Sequence, residues 1–520
     1  MTEMFLNAVK DLNNYTETEN GAVALSSTKS AVLDAFGSLA AMKDSPVEDI
    51  LRTYAKAFNE DKELAMRLLF YVRDIRGGQG MRRVFRTIVA NMAYTQKDLI
   101  VKNLDNFLFF GRGDDVLCLL DTPAKQDVIK WIAKVLNEDI KAQYPSLLAK
   151  WLPSENASNP DTIRYAREII KELHISPRKY RKILSKLRSR IGVVETLMSQ
   201  NKWDEIDFEK LPSRASMIYT DAFMRHVEEN YIDYLKRLAD GDAKVNAGAL
   251  FPVDIIHKVA EKTGTWKSTI TLRDKYLLTA MWNALPNYFG DSEETGLCVV
   301  DTSGSMYGTP LEVAVSLGMY CADKAKGPFH NHFITFSSRP KLQEVVGSTI
   351  DEKYRNLIRA DWEMNTNLEA VFDLILNAAL ANNLPQSDMP SKLYIISDMQ
   401  FDDARTPHGW GYRYEKPRTF MQNMKEKYAD AGYTMPAIVY WNVRASHCGM
   451  FQETFEGENC AMVSGYSPSL FKSVIEGTEW VEETITTATG EKKTVVKQKI
   501  DPMEVMRKTL MNERYNRVLV

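Results

Sequence analysis

Two short apolar runs, each followed by an aspartate, constrain the fold more than any other part of the sequence. Residues 297–300 lead into Asp301, and residues 393–396 lead through Ser397 into Asp398. Runs of this length and β-branched content are typical of buried strands. Parallel strands in an open sheet place the loops that follow them along one edge. We therefore predict a parallel sheet that brings Asp301 and Asp398 together at that edge.

The segments around these two strands alternate between strand and helix patterns, which predicts a doubly wound α/β domain. Its predicted strands include 329–336, 341–346, 436–443 and 460–463, and its predicted helices are 310–325, 418–431 and 468–475. Beyond them, period-two alternation in 480–486 and 493–500 predicts a hairpin, followed by a helix from Asp501. The hairpin is predicted either to extend the sheet at its edge, which we prefer, or to form an arm for a partner.

Oxygen-bearing side chains follow the two predicted strands. Asp301, Ser303 and Ser305 lie at alternate positions, and Thr366 and Asp398 come later in the chain. Carboxylate and hydroxyl oxygens suit Mg²⁺ or Mn²⁺, whereas zinc prefers nitrogen and sulfur. An aspartic protease would carry Gly at position 303, and a haloacid dehalogenase-type phosphatase would carry Asp there. An ordinary Ser-rich turn, with Thr366 or Asn367 as a helix cap, stays open as an alternative.

This order of residues resembles the metal-ion-dependent adhesion site of von Willebrand factor A domains. The resemblance covers all five positions of that motif: Asp301, Ser303, Ser305, Thr366 and Asp398. It implies a Rossmann-like domain that holds Mg²⁺ or Mn²⁺. It also implies that an acidic group of a partner completes the metal coordination, so that the site binds rather than catalyses.

Residues 1–290 instead carry the apolar spacing of helices, which predicts an all-helical domain. Predicted helices span 47–58, 62–73, 82–93, 97–109, 124–137, 160–173, 177–187, 215–239, 251–262 and 273–284. Successive short helices favour a HEAT-like solenoid or ring, although no strict repeat period is visible. The loop at Gly77–Gly80 is not a P-loop, since no Gly-Lys-Ser/Thr follows it. Its neighbours Arg76, Arg82 and Arg83 remain candidates for phosphate contact.

The strongest concentration of charge lies in residues 178–190, which contain no acidic residue. Seven of these thirteen residues are basic: Arg178, Lys179, Arg181, Lys182, Lys186, Arg188 and Arg190. A helix with Ile183, Leu184 and Leu187 on its apolar face would direct them outward to bind RNA phosphates. Tyr180 would then be free to stack on an unpaired base. A solvated basic face, or one docked on an acidic partner, is the alternative.

The helical part of the sequence adds a second resemblance. Residues 20–27, 32–36, 211–214 and 244–252 resemble a family of bacterial, phage and plant proteins that end in a von Willebrand A-like region. In architecture the chain also resembles the Ro autoantigen with its TROVE module. Ro proteins hold the ends of misfolded RNAs in a helical ring and small Y RNAs on its outer surface. This resemblance implies an RNA-binding ribonucleoprotein component.

Length and composition limit the remaining possibilities. At 520 residues the chain exceeds one hydrophobic core, and we expect domains at 1–290 and 291–478, with residues 479–520 packed on the second. No apolar run approaches the ~20 residues that span a bilayer. Five scattered cysteines without CxxC spacing favour a reducing, cytoplasmic location.

The sequence thus predicts a non-enzymatic protein that binds RNA and, through Mg²⁺ or Mn²⁺, a partner carboxylate. The second hypothesis is a protein-interaction adaptor without RNA, since cytoplasmic von Willebrand A proteins often work beside a MoxR-type AAA+ ATPase. A metal-dependent nuclease is a minor alternative, because Asp402 and Asp403 closely follow Asp398.

Overall fold

The chain divides into two compact units in a computed structural model. The structure describes residues 9–520 except 12, 264–269, 293–294, 336–338, 359–366, 402–419, 458 and 487–491. The sheet unit comprises Met1–Ala65, Phe251–Thr271 and Leu285–Asn512. The helical unit comprises Met66–Leu250, Leu272–Ala284 and Glu513–Val520. The division therefore does not follow the boundaries expected at residues 290 and 478.

The sheet unit contains the predicted parallel sheet. The strands of the described residues are, in chain order, β1 Tyr15–Glu17, β2 Val23–Leu25, β3 Gly296–Val300, β4 His332–Thr335, β5 Lys341–Glu344, β6 Lys392–Ser397, β7 Ala437–Asn442, β8 Cys460–Ser464, β9 Thr478–Thr486 and β10 Lys492–Ile500. Strands β3 to β8 form one six-stranded sheet in the order β5-β4-β3-β6-β7-β8. Only its edge strand β5 is antiparallel to its neighbour, within the part of the sheet that the structure describes. The class expected from the sequence, helical segments with an α/β sheet, is confirmed at this level.

Helices surround the sheet. Those of the sheet unit are Ala31–Phe36, Val47–Glu60, Pro252–Thr263, Thr309–Lys324, Ile350–Ile358, Leu368–Asn382, Phe420–Asp430, Ser469–Glu476 and Pro502–Leu510. Thr309–Lys324 packs closely on β3, because a Cβ at Gly318 would lie 2.4 Å from Val300 Cγ2. This packing fixes strand β3 immediately before the predicted oxygen ligands. Asn367 caps the start of the helix Leu368–Asn382, because its side chain accepts a hydrogen bond from the Ala370 N–H at 3.0 Å.

The helical unit consists mainly of short helices. They are Arg82–Thr95, Lys97–Lys102, Leu104–Phe110, Lys125–Lys141, Leu148–Trp151, Pro160–Glu172, Pro177–Ile191, Val194–Ser199, Ser213–His226, Glu228–Asp240 and Leu272–Asn283. The helix Lys62–Arg73 contains the point at which the chain passes from one unit to the other. Short 3₁₀ helices in the two units are Leu39–Ala41, Gly113–Leu119, Trp203–Glu205, Phe208–Lys210, Gly304–Met306, Gln386–Asp388 and Glu513–Tyr515.

The last residues of the chain complete the core of the helical unit. The Asp74 side chain is fully buried and accepts two hydrogen bonds from the Arg514 guanidinium, one of them 2.8 Å long. The Tyr515 hydroxyl donates to the same carboxylate at 3.2 Å. Two buried amides also donate to carbonyl oxygens of this tail: Asn103 to Leu519 at 2.9 Å and Asn106 to Arg517 at 3.0 Å. Residues 513–520 thus supply partners to polar groups far earlier in the sequence.

Several predicted elements need correction. Residues 1–290 are not all helical, because β1 and β2 pair as an antiparallel hairpin. The predicted helices 97–109 and 215–239 are each split, at Asn103 and Val227, where the backbone leaves the helical conformation. Strands β9 and β10 form their own two-stranded sheet instead of extending the large one. Residues 487–491, between the two predicted strands of this hairpin, lie outside the described residues.

Among the helices of the described residues, none combines the length and apolar content that a bilayer span requires.

Candidate functional site

Four of the predicted oxygen ligands gather where β3 and β6 end. We call the side chains of Asp301, Ser303, Ser305 and Asp398 the switch-point cluster. Strands β3 and β6 are parallel neighbours, and the Asp301 N–H donates to the Ile396 carbonyl at 3.0 Å. Counted from β3, the strand order is 3-2-1-4-5-6, so the sheet grows in opposite directions on either side of this pair. Open α/β sheets bind ligands at this position, which makes the cluster a candidate site.

Both loops hold the Asp301 carboxylate in place. This side chain is fully buried, and Oδ1 accepts a hydrogen bond from the Ser303 N–H at 2.9 Å. Its other oxygen, Oδ2, accepts from the Ser397 hydroxyl. The Ser397 Oγ in turn accepts from the Met399 N–H at 3.0 Å. The position of Asp301 is therefore set by the ends of two strands, as parallel pairing predicts.

The serine hydroxyls connect the two aspartates. Ser303 Oγ and Ser305 Oγ lie 3.1 Å apart, within hydrogen-bonding distance. The Ser305 hydroxyl also bonds to the Asp398 carboxylate, which accepts from the Gln400 N–H at 3.2 Å. The fifth predicted ligand, Thr366, lies outside the described residues, as do Asp402 and Asp403. The structure therefore joins four of the five residues in one hydrogen-bonded group.

The two carboxylates oppose each other electrostatically. Burial, and to a smaller extent the negative charge of Asp398, raise the pKa of Asp301 to about 6, against the lowering effect of hydrogen bonds from Ser397 and Ser303. The pKa of Asp398 is also raised, mainly by burial, although the Ser305 hydroxyl and the Arg444 guanidinium lower it. Arg444 donates to the Ser305 carbonyl and is itself exposed. This nearby cation therefore does not fully offset the cost of holding the two charges.

The N-terminal hairpin adds residues that sequence reasoning missed. The turn between β1 and β2 is tied to the loop after β6: the Thr18 hydroxyl donates to the Phe401 carbonyl at 2.7 Å. The Glu19 N–H donates to Gln400 Oε1 at 2.8 Å, and the Glu19 charge contributes to the raised pKa of Asp398. In the same loop Met399 has a φ of 66°, which is uncommon for a residue other than glycine. The hairpin pairing that produces this contact has no motif in the sequence.

The donor set of the cluster fits a hard cation. It offers two carboxylates and two hydroxyls, and Mg²⁺ and Mn²⁺ take such oxygen ligands. Among the described residues, no group of three or more His, Cys, Asp or Glu side chains is arranged to hold a metal. The cluster itself contains only oxygen ligands, whereas zinc prefers nitrogen and sulfur. A positive charge bound beside Asp301 and Asp398 would stabilise the ionised carboxylates, which burial disfavours and whose pKa values it raises.

A second candidate site lies on the basic helix Pro177–Ile191 in the helical unit. Ser176 caps its start by accepting from the Lys179 N–H at 3.2 Å, and Gly192 ends it with a φ of 72°. Leu184 and Leu187 are buried, as predicted, and Ile183 is half-buried. The expectation for Tyr180 is wrong: its ring is fully buried and its hydroxyl donates to the Pro153 carbonyl at 3.0 Å. This tyrosine cannot stack on a base.

The seven basic residues fall into two groups. Arg188 donates to the Ala149 and Leu152 carbonyls, both at 2.9 Å, and Arg190 donates to carbonyls at the end of the helix Lys125–Lys141. Arg181 forms an ion pair with Glu155. Within the part of the chain that the structure describes, the other four are exposed and form no ion pair: Arg178, Lys179, Lys182 and Lys186. The two groups differ because neighbouring carbonyls engage Arg188 and Arg190 and the Glu155 carboxylate engages Arg181, and the sequence does not show these contacts.

A groove runs beside the basic helix. Its volume is about 760 Å³, and Arg181, Lys182, Lys186, Arg188 and Arg190 contribute to its lining. Hydroxyl and amide groups complete its walls: Ser154, Asn156, Ser185, Ser189, Thr196, Ser199 and Gln200. Glu155 is the one acidic side chain among the described lining residues. The groove therefore offers positive charge and hydrogen-bond donors, which suit a chain of phosphates.

Comparison with known proteins places the chain in a family. A family described as a domain of unknown function (DUF2828) matches residues 18–110 and 146–287, and another, also of unknown function (DUF7788), matches residues 295–510. Over 508 residues the chain is 32% identical to Uncharacterized protein L728 of Acanthamoeba polyphaga mimivirus, covering 90% of this chain and 86% of the viral protein. The chain belongs to the same family as this viral protein. The two domain families meet between residues 287 and 295, whereas the compact units group residues 1–65 with the sheet.

Proposed function

We propose that the switch-point cluster binds Mg²⁺ or Mn²⁺ and, through it, a carboxylate of a partner. The observation that carries this proposal is the pairing of two buried aspartates at the switch point of the sheet with the hydroxyls of Ser303 and Ser305. Asp301, Ser303, Ser305 and Asp398 would hold the cation, with Thr366 as a fifth ligand on the resemblance to von Willebrand A domains. The bound cation would supply a positive centre for an acidic group.

This proposal describes binding and not catalysis. The strand order and the single antiparallel edge strand of the described sheet support the resemblance to von Willebrand A domains. A MoxR-type AAA+ ATPase is the partner class that this resemblance suggests for an adaptor. The nuclease alternative would need Asp402 and Asp403 to join the cluster, and no observation favours it.

Calorimetric titration of the full chain with Mg²⁺ tests the cation site. We expect heat of binding in the wild type and none after Asp301→Ala, because that change removes a buried carboxylate ligand. Asp388→Asn is a matched control, since Asp388 is exposed on a separate loop of the same unit. Retention of the wild-type binding heat by Asp301→Ala, with its melting temperature intact, would exclude the cluster as the cation site.

A second function, RNA binding, is favoured by the groove beside Pro177–Ile191. Its carrying observation is that Lys182 and Lys186 line the groove, are exposed and form no ion pair among the described residues. Free ammonium groups can neutralise phosphates and release counterions. On the resemblance to Ro proteins, a HEAT-like helical array would hold structured or misfolded RNA, making the protein a ribonucleoprotein component.

Charge reversal tests RNA binding. We expect Lys182→Glu with Lys186→Glu to weaken binding of an RNA oligonucleotide by about 10- to 100-fold in fluorescence anisotropy, because two phosphate contacts become repulsive. Lys130→Glu with Lys134→Glu is a matched control: both lysines are exposed, share the four-residue spacing and lie outside the groove lining. An equal loss in both pairs, or no loss in the first, would refute a specific role for the groove.

A further inference from the structure

Burial of Tyr180 leaves the basic groove without the stacking residue expected from the sequence. A different tyrosine, Tyr144, lies two residues from Ala142, whose carbonyl accepts a hydrogen bond from the groove residue Arg190. Tyr144 follows the helix Lys125–Lys141, and its side chain is 84% exposed. A tyrosine so exposed buries almost none of its apolar ring. Exposed aromatic rings beside basic side chains are typical of proteins that bind single-stranded nucleic acids.

The loop that carries Tyr144 is held at both ends. The buried Asp139 carboxylate accepts hydrogen bonds from the Ser146 N–H at 2.7 Å and from the Ser146 hydroxyl at 2.8 Å. At the other end, the Arg190 guanidinium donates to the Asp139 and Ile140 carbonyls, both at 3.1 Å, and to the Ala142 carbonyl. The exposed ring therefore belongs to a short segment with fixed ends.

One contact connects this loop with the groove, and a proline restricts the loop's backbone. Arg190 lines the groove and also bonds to Ala142, two residues before Tyr144. Pro145 follows Tyr144 directly and restricts its backbone to extended conformations. Ordering the loop on binding would consequently cost little conformational entropy, since the backbone is already constrained.

We propose that Tyr144 stacks on an unpaired base of a single-stranded RNA whose phosphates follow the groove at Lys182 and Lys186. This inference rests on the proposed RNA-binding function and names the class of RNA. The basic side chains alone would accept any phosphate backbone. An aromatic ring stacks on a base whose face is uncovered, which single strands and loops provide along their length and a duplex provides only at its two ends.

The experiment compares two probes on the full chain: a twelve-nucleotide oligoadenylate and a blunt twelve-base-pair RNA duplex. Tyr144→Ala is expected to lower affinity for the single strand by about 5- to 100-fold, the usual effect of losing one stacked base. Affinity for the duplex and the melting temperature should stay unchanged. Tyr144→Phe keeps the ring and should retain single-strand affinity. Tyr94→Ala is the matched control, because Tyr94 is also exposed in the helical unit, at 64%.

Each of the following results would overturn the proposal. Single-strand affinity of Tyr144→Ala equal to that of Tyr94→Ala would show that the ring makes no contact. Equal losses for both probes, or a lowered melting temperature, would assign Tyr144 a structural role instead. Failure of the wild type to bind RNA would refute RNA binding itself. In contrast, a loss after Lys182→Glu and Lys186→Glu with none after Tyr144→Ala would refute only the stacking role.

Discussion

Asp301 shows how one buried side chain couples stability to pH. Its folded-state pKa of about 6 lies above the ordinary value of 3.8, so the folded chain binds this proton more tightly than the unfolded chain. The resulting stabilisation is complete below pH 3.8 and is lost as the pH rises through about 6. A pKa shift of this size corresponds to roughly 3 kcal/mol in the free energy of unfolding.

We therefore expect the free energy of unfolding, measured in EDTA by denaturant titration, to fall for the wild type relative to Asp301→Asn as the pH rises through about 6. The substituted amide carries no charge at any pH, which isolates the contribution of this carboxylate. Added Mg²⁺ should remove the difference in pH dependence, because a bound cation replaces the proton. Identical pH profiles of the two proteins would contradict this account of the site.

At the scale of the element, the basic helix carries two kinds of basic side chain: some bind neighbouring segments of the protein, and others are exposed. Arg188 and Arg190 bond to carbonyls of neighbouring segments, whereas Lys182 and Lys186 form no ion pair among the described residues. Replacing these lysines by glutamate should therefore change the salt dependence of RNA binding as well as its strength. The slope of log affinity against log salt should become shallower by about 1 to 2, from two lost phosphate contacts. An unchanged slope would mean that other residues contact the phosphates.

The same helix shows which structural features the sequence could predict and which it could not. Its start and its buried leucines were predicted, whereas the helix continues to Ile191, four residues past the predicted end at 187. Tyr180 lies on the same apolar stripe, four residues before Leu184 and seven before Leu187. This spacing could have predicted that Tyr180 is buried, but its polar hydroxyl favoured an exposed position. The pairing of Asp301 with Asp398 was predictable because parallel strands align their ends. The contact of Glu19 with Gln400 was not, since it depends on a hairpin paired through tertiary structure.

At the scale of the whole molecule, the chain leaves the helical unit and returns to it at residue 513. Arg514→Ala would leave the buried Asp74 carboxylate without its cationic partner. We expect a loss of about 2–4 kcal/mol in the free energy of unfolding, below the usual cost of breaking a fully buried pair because Arg514 is 27% exposed. Denaturant unfolding, monitored by circular dichroism, measures this loss of stability. Arg507→Ala removes an exposed arginine seven residues earlier in the sequence and should cost little. An equal loss of stability in that variant would contradict the role of Arg514 as the partner of Asp74.

The contacts of residues 514–519 also determine when the helical unit can complete its fold during synthesis. Asp74, Asn103 and Asn106 leave the ribosome early, yet their partners at residues 514–519 are translated some four hundred residues later. Until then these groups have only partners from the earlier chain, such as the Arg76 N–H for Asp74 and the Leu99 carbonyl for Asn103. We therefore expect the nascent helical unit to be less stable than the full chain, because its buried polar groups are only partly compensated. A product of premature termination would keep this defect permanently. Proteases and chaperones that act on unfolded chains would thereby distinguish it from the finished protein.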